Sequence, residues 1–195
     1  MTSMGSAPRI QFDLLSGHRL AIGRRASLVM MLAIALLAAG CQEDEERIAD
    51  FIDRGKTYVT DAQDEEAVIE YKNVLQIDPE NADAHEALSL AYLRLGKPRE
   101  AYWEMSETVR LSPENVEARL RYGTISAAIG DFDLSMEQAE AVLQLDSNNS
   151  RGYTLRAQAR ENREDFDGAE ADFKSAIVSA PDSPAFHFLL GGFYE

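Results

Sequence analysis

Apolar positions along the chain recur with a helical spacing and then recur again with a longer, fixed period. From Ile48 onward, apolar side chains follow one another three or four residues apart, the spacing that places them on one face of an α-helix. Pro113 lies 34 residues after Pro79 (113 − 79), and Pro181 lies two further periods after Pro113 (181 − 113 = 68). A period in this range is typical of a solenoid in which one supersecondary unit is repeated.

Each period predicts two amphipathic helices joined by a tight turn. In the first period, Phe51 and Tyr58 mark the apolar face of the first helix, and Tyr71 and Leu75 mark that of the second. We therefore expect four complete helical hairpins and the first helix of a fifth. The corresponding frames are residues 48–81, 82–115, 116–149, 150–183 and 184–195.

The turns inside the frames carry capping signals. Asp64 and Asp131 stand where second helices start, and an aspartate there accepts a hydrogen bond from a backbone N–H of the first turn. Gly130 stands where a first helix ends, as expected of a C-cap glycine. In two other frames Ala62 and Glu164 replace that glycine. We expect N-caps at both aspartates and looser turns at Ala62 and Glu164.

Two arginines occupy a position that is apolar or aromatic in the other frames. Arg54 and Arg156 align with Leu88 in the 34-residue register. An interior arginine needs a partner, and an acidic residue stands 16 positions later in both frames (70 − 54 and 172 − 156). We predict two structural ion pairs, Arg54–Glu70 and Arg156–Asp172.

The last frame holds one apolar helix and then stops. Its sequence, PAFHFLLGGFYE, offers neither a polar face nor a C-cap signal. Because a terminal solenoid helix normally has a polar outer face, we expect a covering element for Phe186, Leu190 and Phe193. Further repeats of a longer chain are the favoured cover, and a dimer partner is the alternative.

Small and aromatic residues recur at fixed positions of the frames. They include Phe51, Gly55, Tyr58, Ala67, Tyr71, Pro79 and the pair Tyr122-Gly123. This pattern resembles that of the tetratricopeptide repeat (TPR) family. The resemblance covers residues 48–195 and implies an all-α fold, a right-handed superhelix of antiparallel helix hairpins with about four and a half repeats.

The resemblance also implies a binding surface. In TPR proteins the first helices of the repeats line an inner groove that holds a segment of a partner, so a protein or peptide partner is implied here. The first-helix positions expected to line the groove are Leu90, Leu93, Arg94, Leu120, Arg121, Thr124, Leu155 and Gln158.

The N-terminus reads as a secretory signal. Three arginines, Arg19, Arg24 and Arg25, precede an uncharged run from Ala26 to Ala39. A basic segment, an apolar run of roughly 7–15 residues and small residues after it form the pattern of a signal peptide. The run is shorter than the roughly 20 apolar residues of a spanning helix. We predict a signal peptide over residues 1–40.

The end of this signal resembles the bacterial lipobox. The residues Leu37-Ala38-Ala39-Gly40-Cys41 imply cleavage between Gly40 and Cys41 and lipidation of Cys41, followed by an acidic tether over residues 41–47. Gln42 after the cysteine implies the outer membrane, with the protein facing the periplasm. A signal peptide cleaved elsewhere, with an incidental cysteine, remains the alternative.

Charge and motif content argue against nucleic-acid binding and catalysis. The net charge is −15; the first 40 residues hold four arginines and one aspartate, so the remainder carries −18. Phosphate contacts require clustered Lys and Arg. The sequence has no nucleotide-binding glycine loop, H-E-x-x-H or G-x-S-x-G motif, and a single Cys. We expect no nucleic-acid partner, enzyme activity, catalytic residue, cofactor or metal site.

These patterns together predict a non-catalytic interaction scaffold, lipid-anchored in the bacterial cell envelope. The lipobox, the acidic segment and the repeats resemble the N-terminal part of the large TPR lipoproteins of exosortase (PEP-CTERM) and exopolysaccharide systems, which implies partners in export, sorting or secretion. A short TPR lipoprotein of outer-membrane β-barrel or pilus-secretin assembly is one alternative. The N-terminal repeats of a larger enzyme are another.

Overall fold

The structure, a computed structural model, describes residues 43–195. The predicted signal peptide over residues 1–40, its cleavage site at Gly40 and the predicted lipidation site at Cys41 lie outside the described residues. All secondary structure within residues 43–195 is helical, which confirms the predicted all-α fold. The helices are α1 (residues 43–60), α2 (Asp64–Ile77), α3 (Ala82–Arg94), α4 (Pro98–Leu111), α5 (Val116–Ala128), α6 (Phe132–Leu145), α7 (Ser150–Asn162), α8 (Phe166–Ser179) and α9 (Pro184–Phe193).

The chain divides into two compact units, residues 1–46 and 47–195. Only residues 43–46 of the first unit are described, and they form exposed helix. Residues 43–47 of the predicted acidic tether are helical and exposed, in keeping with the high helix propensity of glutamate. The fold and the candidate site described below belong to the second unit.

Successive helices of the second unit pack as neighbours. Each helix from α2 to α8 contacts the next one in sequence, and the first helices α5 and α7 of two consecutive repeats also contact each other. Helices α3, α5, α7 and α9 begin at Ala82, Val116, Ser150 and Pro184, the residues at which the 34-residue frames begin. The first helices α5 and α7 therefore lie side by side, and the observed helix starts keep the 34-residue register.

Two groups of buried side chains form the core. The larger group joins repeats 1 to 3 and includes Tyr71, Leu88, Tyr92, Met105 and Tyr122. The smaller group joins repeats 3 and 4 and consists of Leu120, Ala139, Val142 and Leu155. The core thus extends along the array from one repeat to the next, as expected of a solenoid.

Glycines permit the closest approaches between helices. A Cβ on Gly55 would lie 2.7 Å from Cε1 of Tyr71, and a Cβ on Gly123 would lie 2.5 Å from Cδ2 of Leu155. Both distances are shorter than van der Waals contact. A side chain at either position would therefore force its neighbour to move.

The first helices α3, α5 and α7 share an asparagine N-cap, which the sequence analysis missed. The side chains of Asn81, Asn115 and Asn149 accept hydrogen bonds from backbone N–H groups three residues later, at 3.0, 3.0 and 2.9 Å. The spacing of these asparagines is 34 residues, so the repeat register contained the signal. Each side chain satisfies one of the free N–H groups at a helix start.

The N-caps of the second helices confirm one prediction and contradict another. Asp131 accepts from the backbone N–H of Leu134 at 3.1 Å, as predicted. Asp64 is the first helical residue of α2 rather than its N-cap, which is Gln63 and forms no side-chain capping bond. Its carboxylate accepts instead from Arg94 of the next repeat.

The turns between first and second helices share a left-handed residue. Gly96 and Gly130 have φ angles of +68° and +87°, and Ala62 and Glu164 have φ angles of +57° and +61° at the equivalent positions. A side chain in this conformation costs roughly 1–2 kcal/mol relative to the right-handed region. Repeats 1 and 4 therefore keep the turn geometry at the expense of local strain.

No helix within residues 43–195 combines the length and the apolar character that a bilayer-crossing segment needs.

Candidate functional site

The four leucines among the predicted groove residues differ in burial. Leu120 and Leu155 were expected to be exposed, but they are only 3% and 4% exposed and belong to the core. They are buried because α5 and α7 pack directly against each other. Leu90 is half-buried and Leu93 is exposed on α3.

Four predicted residues meet in one pocket. Leu120 and Leu155 lie beside Thr124 and Gln158 in a cavity of about 140 Å³, which we call the apolar pocket. Three residues that the predicted groove set did not contain complete its lining, namely Arg151, Thr154 and Phe186. All seven come from α5, α7 and α9, so the pocket lies on the face formed by consecutive first helices.

The two threonines in this lining are held in place by their own helices. The hydroxyl of Thr124 donates to the carbonyl of Leu120 at 2.8 Å, and that of Thr154 donates to the carbonyl of Ser150 at 3.0 Å. Their lone pairs remain as acceptors. Gln158 is exposed and contributes an amide with both donors and an acceptor.

A second cavity adjoins the first. It has a volume of about 530 Å³, and we call it the acidic pocket. Gln158 lines both cavities, so the two are neighbours on α7. The remaining lining residues are Ala127, Glu161, Asn162 and Phe166.

The predicted groove arginines are engaged in ion pairs. Arg94 donates to the carboxylate of Asp64. Arg121 lies 3.5 Å from Glu86 and 3.1 Å from Glu117. Both guanidinium groups therefore link neighbouring repeats.

Arg151 extends this network into repeat 4. Its Nη1 donates to Glu117 at 2.6 Å, across one full repeat. This hydrogen bond, followed by the nearby charges of Arg151 and Arg121, lowers the pKa of the Glu117 carboxyl group below its ordinary value. The carboxylate therefore stays ionised, and the rim of the apolar pocket near Arg151 is locally neutral.

Both predicted structural ion pairs are present, but they differ in burial. Arg54 donates to Glu70 at 3.0 Å; its side chain is 46% exposed and lies 4.7 Å from the ring centre of Phe51, so it was wrongly expected to be interior. Arg156 donates to Asp172 through Nε at 2.8 Å and Nη2 at 2.7 Å, and the Asp172 side chain is only 4% exposed.

Asp172 has a second partner, which the sequence did not predict. Arg160 donates to it at 2.8 Å and also to the carbonyl of Gly168 at 3.1 Å. The hydrogen bond to Asp172 raises the pKa of Arg156 above its ordinary value. One buried carboxylate thus joins two arginines of α7 to α8.

A repeated contact to the preceding loop explains the role of His85. Its Nε2 lies 3.1 Å from the carbonyl oxygen of Pro79, and its Nδ1 lies 2.7 Å from Glu104. At the equivalent positions, Arg119 donates to the carbonyl of Pro113 at 2.6 Å and the hydroxyl of Tyr153 donates to that of Ser147 at 3.0 Å. His85 therefore has a structural role, since it links its helix to the preceding loop as the equivalent residues do.

The predicted uncovered face of α9 is only partly uncovered. Phe186, Leu190 and Phe193 are half-buried, and the ring centre of Phe193 lies 5.5 Å from that of Phe173 on α8. The large apolar side chains that remain exposed in this segment are Phe188, at 81%, and Tyr194, whose hydroxyl donates to Glu170. Covering of Phe186, Leu190 and Phe193 by further repeats or by a dimer partner stays a prediction.

Within residues 43–195, no group of three or more His, Cys, Asp and Glu side chains is arranged to hold a metal ion.

One residue of the apolar pocket that the sequence analysis missed could have been predicted from helical spacing. Arg151 stands one turn before Thr154 and Leu155 on α7, so helical spacing alone could have placed it beside them. Phe186 gave no such signal, because its place in the apolar pocket depends on how α9 packs.

Comparisons with known proteins agree with this architecture. Residues 55–96 match the family described as TPR repeat, and residues 87–150 and 154–195 match the family described as Tetratricopeptide repeat. The BBSome complex member BBS4 of Bos taurus is 29% identical over 92 residues, which cover 47% of this chain and 18% of that protein. The chain spans between 18% and 34% of the length of the curated relatives that it matches.

Solved structures show the same fold. MamA from Desulfovibrio magneticus RS-1 superimposes with a TM-score of 0.70 at 19% identity, covering 75% of this chain and 83% of that one. YrrB, described as a TPR protein with an unusual peptide-binding site, superimposes with a TM-score of 0.68 at 22% identity, covering 73% of each chain. Because the Tetratricopeptide repeat match alone takes in more than half of the sequence, the chain belongs to the tetratricopeptide repeat family, whose members are protein-interaction scaffolds.

Proposed function

We propose that this chain is a non-catalytic scaffold that holds a segment of a partner protein on the face formed by α5, α7 and α9. The observation that carries the proposal is the apolar pocket, whose floor is Leu120 and Leu155 and whose wall is Phe186. An apolar floor with a few fixed polar groups at the rim is the usual composition of a ligand site. A volume of about 140 Å³ suits one apolar side chain of an extended segment.

The rigidity of the surroundings supports the same function. The chain of ion pairs from Glu86 through Arg121 and Glu117 to Arg151 fixes the first helices of repeats 2, 3 and 4 relative to one another. A surface that is ordered before binding loses less entropy when it binds. The peptide-binding site named for YrrB is consistent with such a use of the fold.

The proposal includes an anchor in the bacterial cell envelope. Lipidation of Cys41 would tether the repeats to the outer membrane on its periplasmic side, where they organise partners in export, sorting or exopolysaccharide secretion. The support is the sequence Leu37-Ala38-Ala39-Gly40-Cys41 after a basic and apolar leader.

Panning of a phage-displayed library of random linear peptides on the purified 195-residue chain tests the binding surface. We expect selected peptides to lose binding to a Thr124→Tyr variant, because the added ring fills the apolar pocket without changing the charge. Gln76→Tyr, on an exposed position of α2, is the matched control and should leave binding unchanged. Selected peptides that bind Thr124→Tyr as well as the unchanged chain would overturn the proposal.

The anchor is tested separately by the intact mass of the protein extracted from membranes of its native host. We expect a triacylated species that starts at Cys41. A protein without acyl groups would remove the anchor from the proposal and leave the peptide-binding surface unaffected.

A further inference from the structure

We infer that the partner segment carries a basic side chain about three residues away from the apolar side chain that enters the apolar pocket. The inference rests on the proposed function, since it describes the occupant of the same face. It follows from the second cavity on this face, from the spacing between the two cavities and from the charge of the repeats.

The acidic pocket has the chemistry of a site for lysine or arginine. Glu161 is exposed, and no ion pair or hydrogen bond within residues 43–195 engages its carboxylate. The ring of Phe166, 55% exposed, lines the same cavity. A carboxylate next to an aromatic ring binds a cation through both ionic and cation–π attraction.

The nearby arginines do not neutralise Glu161. Arg160 is held by Asp172 at 2.8 Å and lies 3.6 Å from Asp165. Arg163 lies 3.5 Å from Asp133. Because these cations already have carboxylate partners, the charge of Glu161 is available to an incoming segment.

The distance between the two cavities sets the spacing in the partner. Leu155 and Glu161 are six residues apart on α7, which corresponds to about 9 Å at the rise of an α-helix. A segment in the polyproline II conformation advances about 3.1 Å per residue and points every third side chain in the same direction. An apolar side chain over Leu155 therefore places the residue three positions away beside Glu161, and Gln158 lies between them to bind the peptide backbone.

The charge of the whole array favours the same partner. The 34 acidic residues include one, Asp13, before residue 43, and the 19 basic residues include four there, so residues 43–195 carry 33 acidic and 15 basic side chains, a net charge of −18. A field of this sign raises the association rate of a cationic segment and repels an acidic one. The long-range and local electrostatics thus point to one ligand class, an extended apolar and basic segment.

The sequences of the panned peptides test the inference. We expect Lys or Arg to be enriched three positions from Leu, Met or Phe, in either chain direction. Binding of these peptides should fall at least about tenfold, equivalent to about 1.4 kcal/mol, in a Glu161→Lys variant, and should weaken as salt is added. Glu137→Lys, at another exposed glutamate, on α6, is the matched control and should retain binding.

The outcomes separate this inference from the proposed function. One outcome is that the peptides lose binding to Thr124→Tyr yet bind Glu161→Lys as well as the unchanged chain. That result would contradict the inferred basic residue of the partner and still support the proposed peptide-binding face. Peptides indifferent to Thr124→Tyr, or a library without any enrichment, would overturn both.

Discussion

Repeats 2 and 4 fill the same position of the TPR hairpin in opposite ways. In repeat 2 the position belongs to Leu88, which is fully buried next to Met105. In repeat 4 it belongs to Arg156, which pairs with the buried Asp172. The backbone arrangement is the same, so the position requires only that its occupant be satisfied, by apolar contacts or by a complete set of charged hydrogen bonds.

The two solutions differ in their sensitivity to change. Shortening a buried apolar side chain lowers the stability of the protein in proportion to the volume of the cavity that is left. Removing one partner of a buried ion pair costs more free energy of unfolding than the intact pair contributed, because the other charge is left buried without a partner. The following substitutions compare equivalent positions in different repeats, from the largest expected effect to the smallest.

Replacing Asp172 by alanine should have the largest effect. The change leaves Arg156 and Arg160 without their shared carboxylate, and we expect a loss of about 3–5 kcal/mol in the free energy of unfolding. Urea unfolding followed by circular dichroism measures it. The control is Glu70→Ala, which removes the equivalent but exposed pair with Arg54 and should cost much less. Equal losses in the two variants would contradict the importance of burial.

Replacing Gly123 by alanine should have an intermediate effect. The new Cβ would lie 2.5 Å from Leu155 and 3.2 Å from Cβ of Gln138, so we expect a loss of about 1–3 kcal/mol through overpacking. Gly191 stands at the same repeat position, but no atom lies within 4 Å of its added Cβ. Gly191→Ala should therefore stabilise α9 by up to about 1 kcal/mol. Thermal unfolding of both variants checks the opposite signs.

The Gly123 variant also connects stability to binding. Leu155 forms part of the floor of the apolar pocket, so displacing it should weaken the binding of panned peptides. Gly191→Ala should leave that binding unchanged. A Gly123→Ala variant with normal affinity would show that the floor adjusts without consequence.

Replacing Glu164 by glycine should have the smallest effect, and it should be favourable. Glu164 has a φ angle of +61°, and glycine removes the strain of that conformation at the cost of a more flexible unfolded chain. We expect a gain of up to about 1 kcal/mol in the free energy of unfolding. Gly130→Ala, at the equivalent turn of repeat 3 with a φ angle of +87°, should change stability in the opposite direction. A destabilising Glu164→Gly would show that the side chain has a compensating role.

The candidate site was predicted only in part. Helical spacing and the repeat register placed Thr124 and Gln158 on one face, and both line the apolar pocket, because such positions follow from the period of one helix. They did not indicate that Leu120 and Leu155 are buried, because that burial depends on the contact between α5 and α7. The acidic pocket was not predicted at all, because Phe166 reaches it from a different helix.

What the sequence determined is the repeating architecture. The 34-residue period, the 3.6-residue periodicity within it and the acidic residue 16 positions after each arginine are local or regularly spaced signals, and they yielded the all-α fold and both ion pairs. The tertiary structure decided which side chains are buried, that Arg160 shares Asp172, and that Phe186 closes the apolar pocket. These features depend on how closely neighbouring helices approach, a distance set by the packing of many side chains at once rather than by the spacing of any pair along the chain.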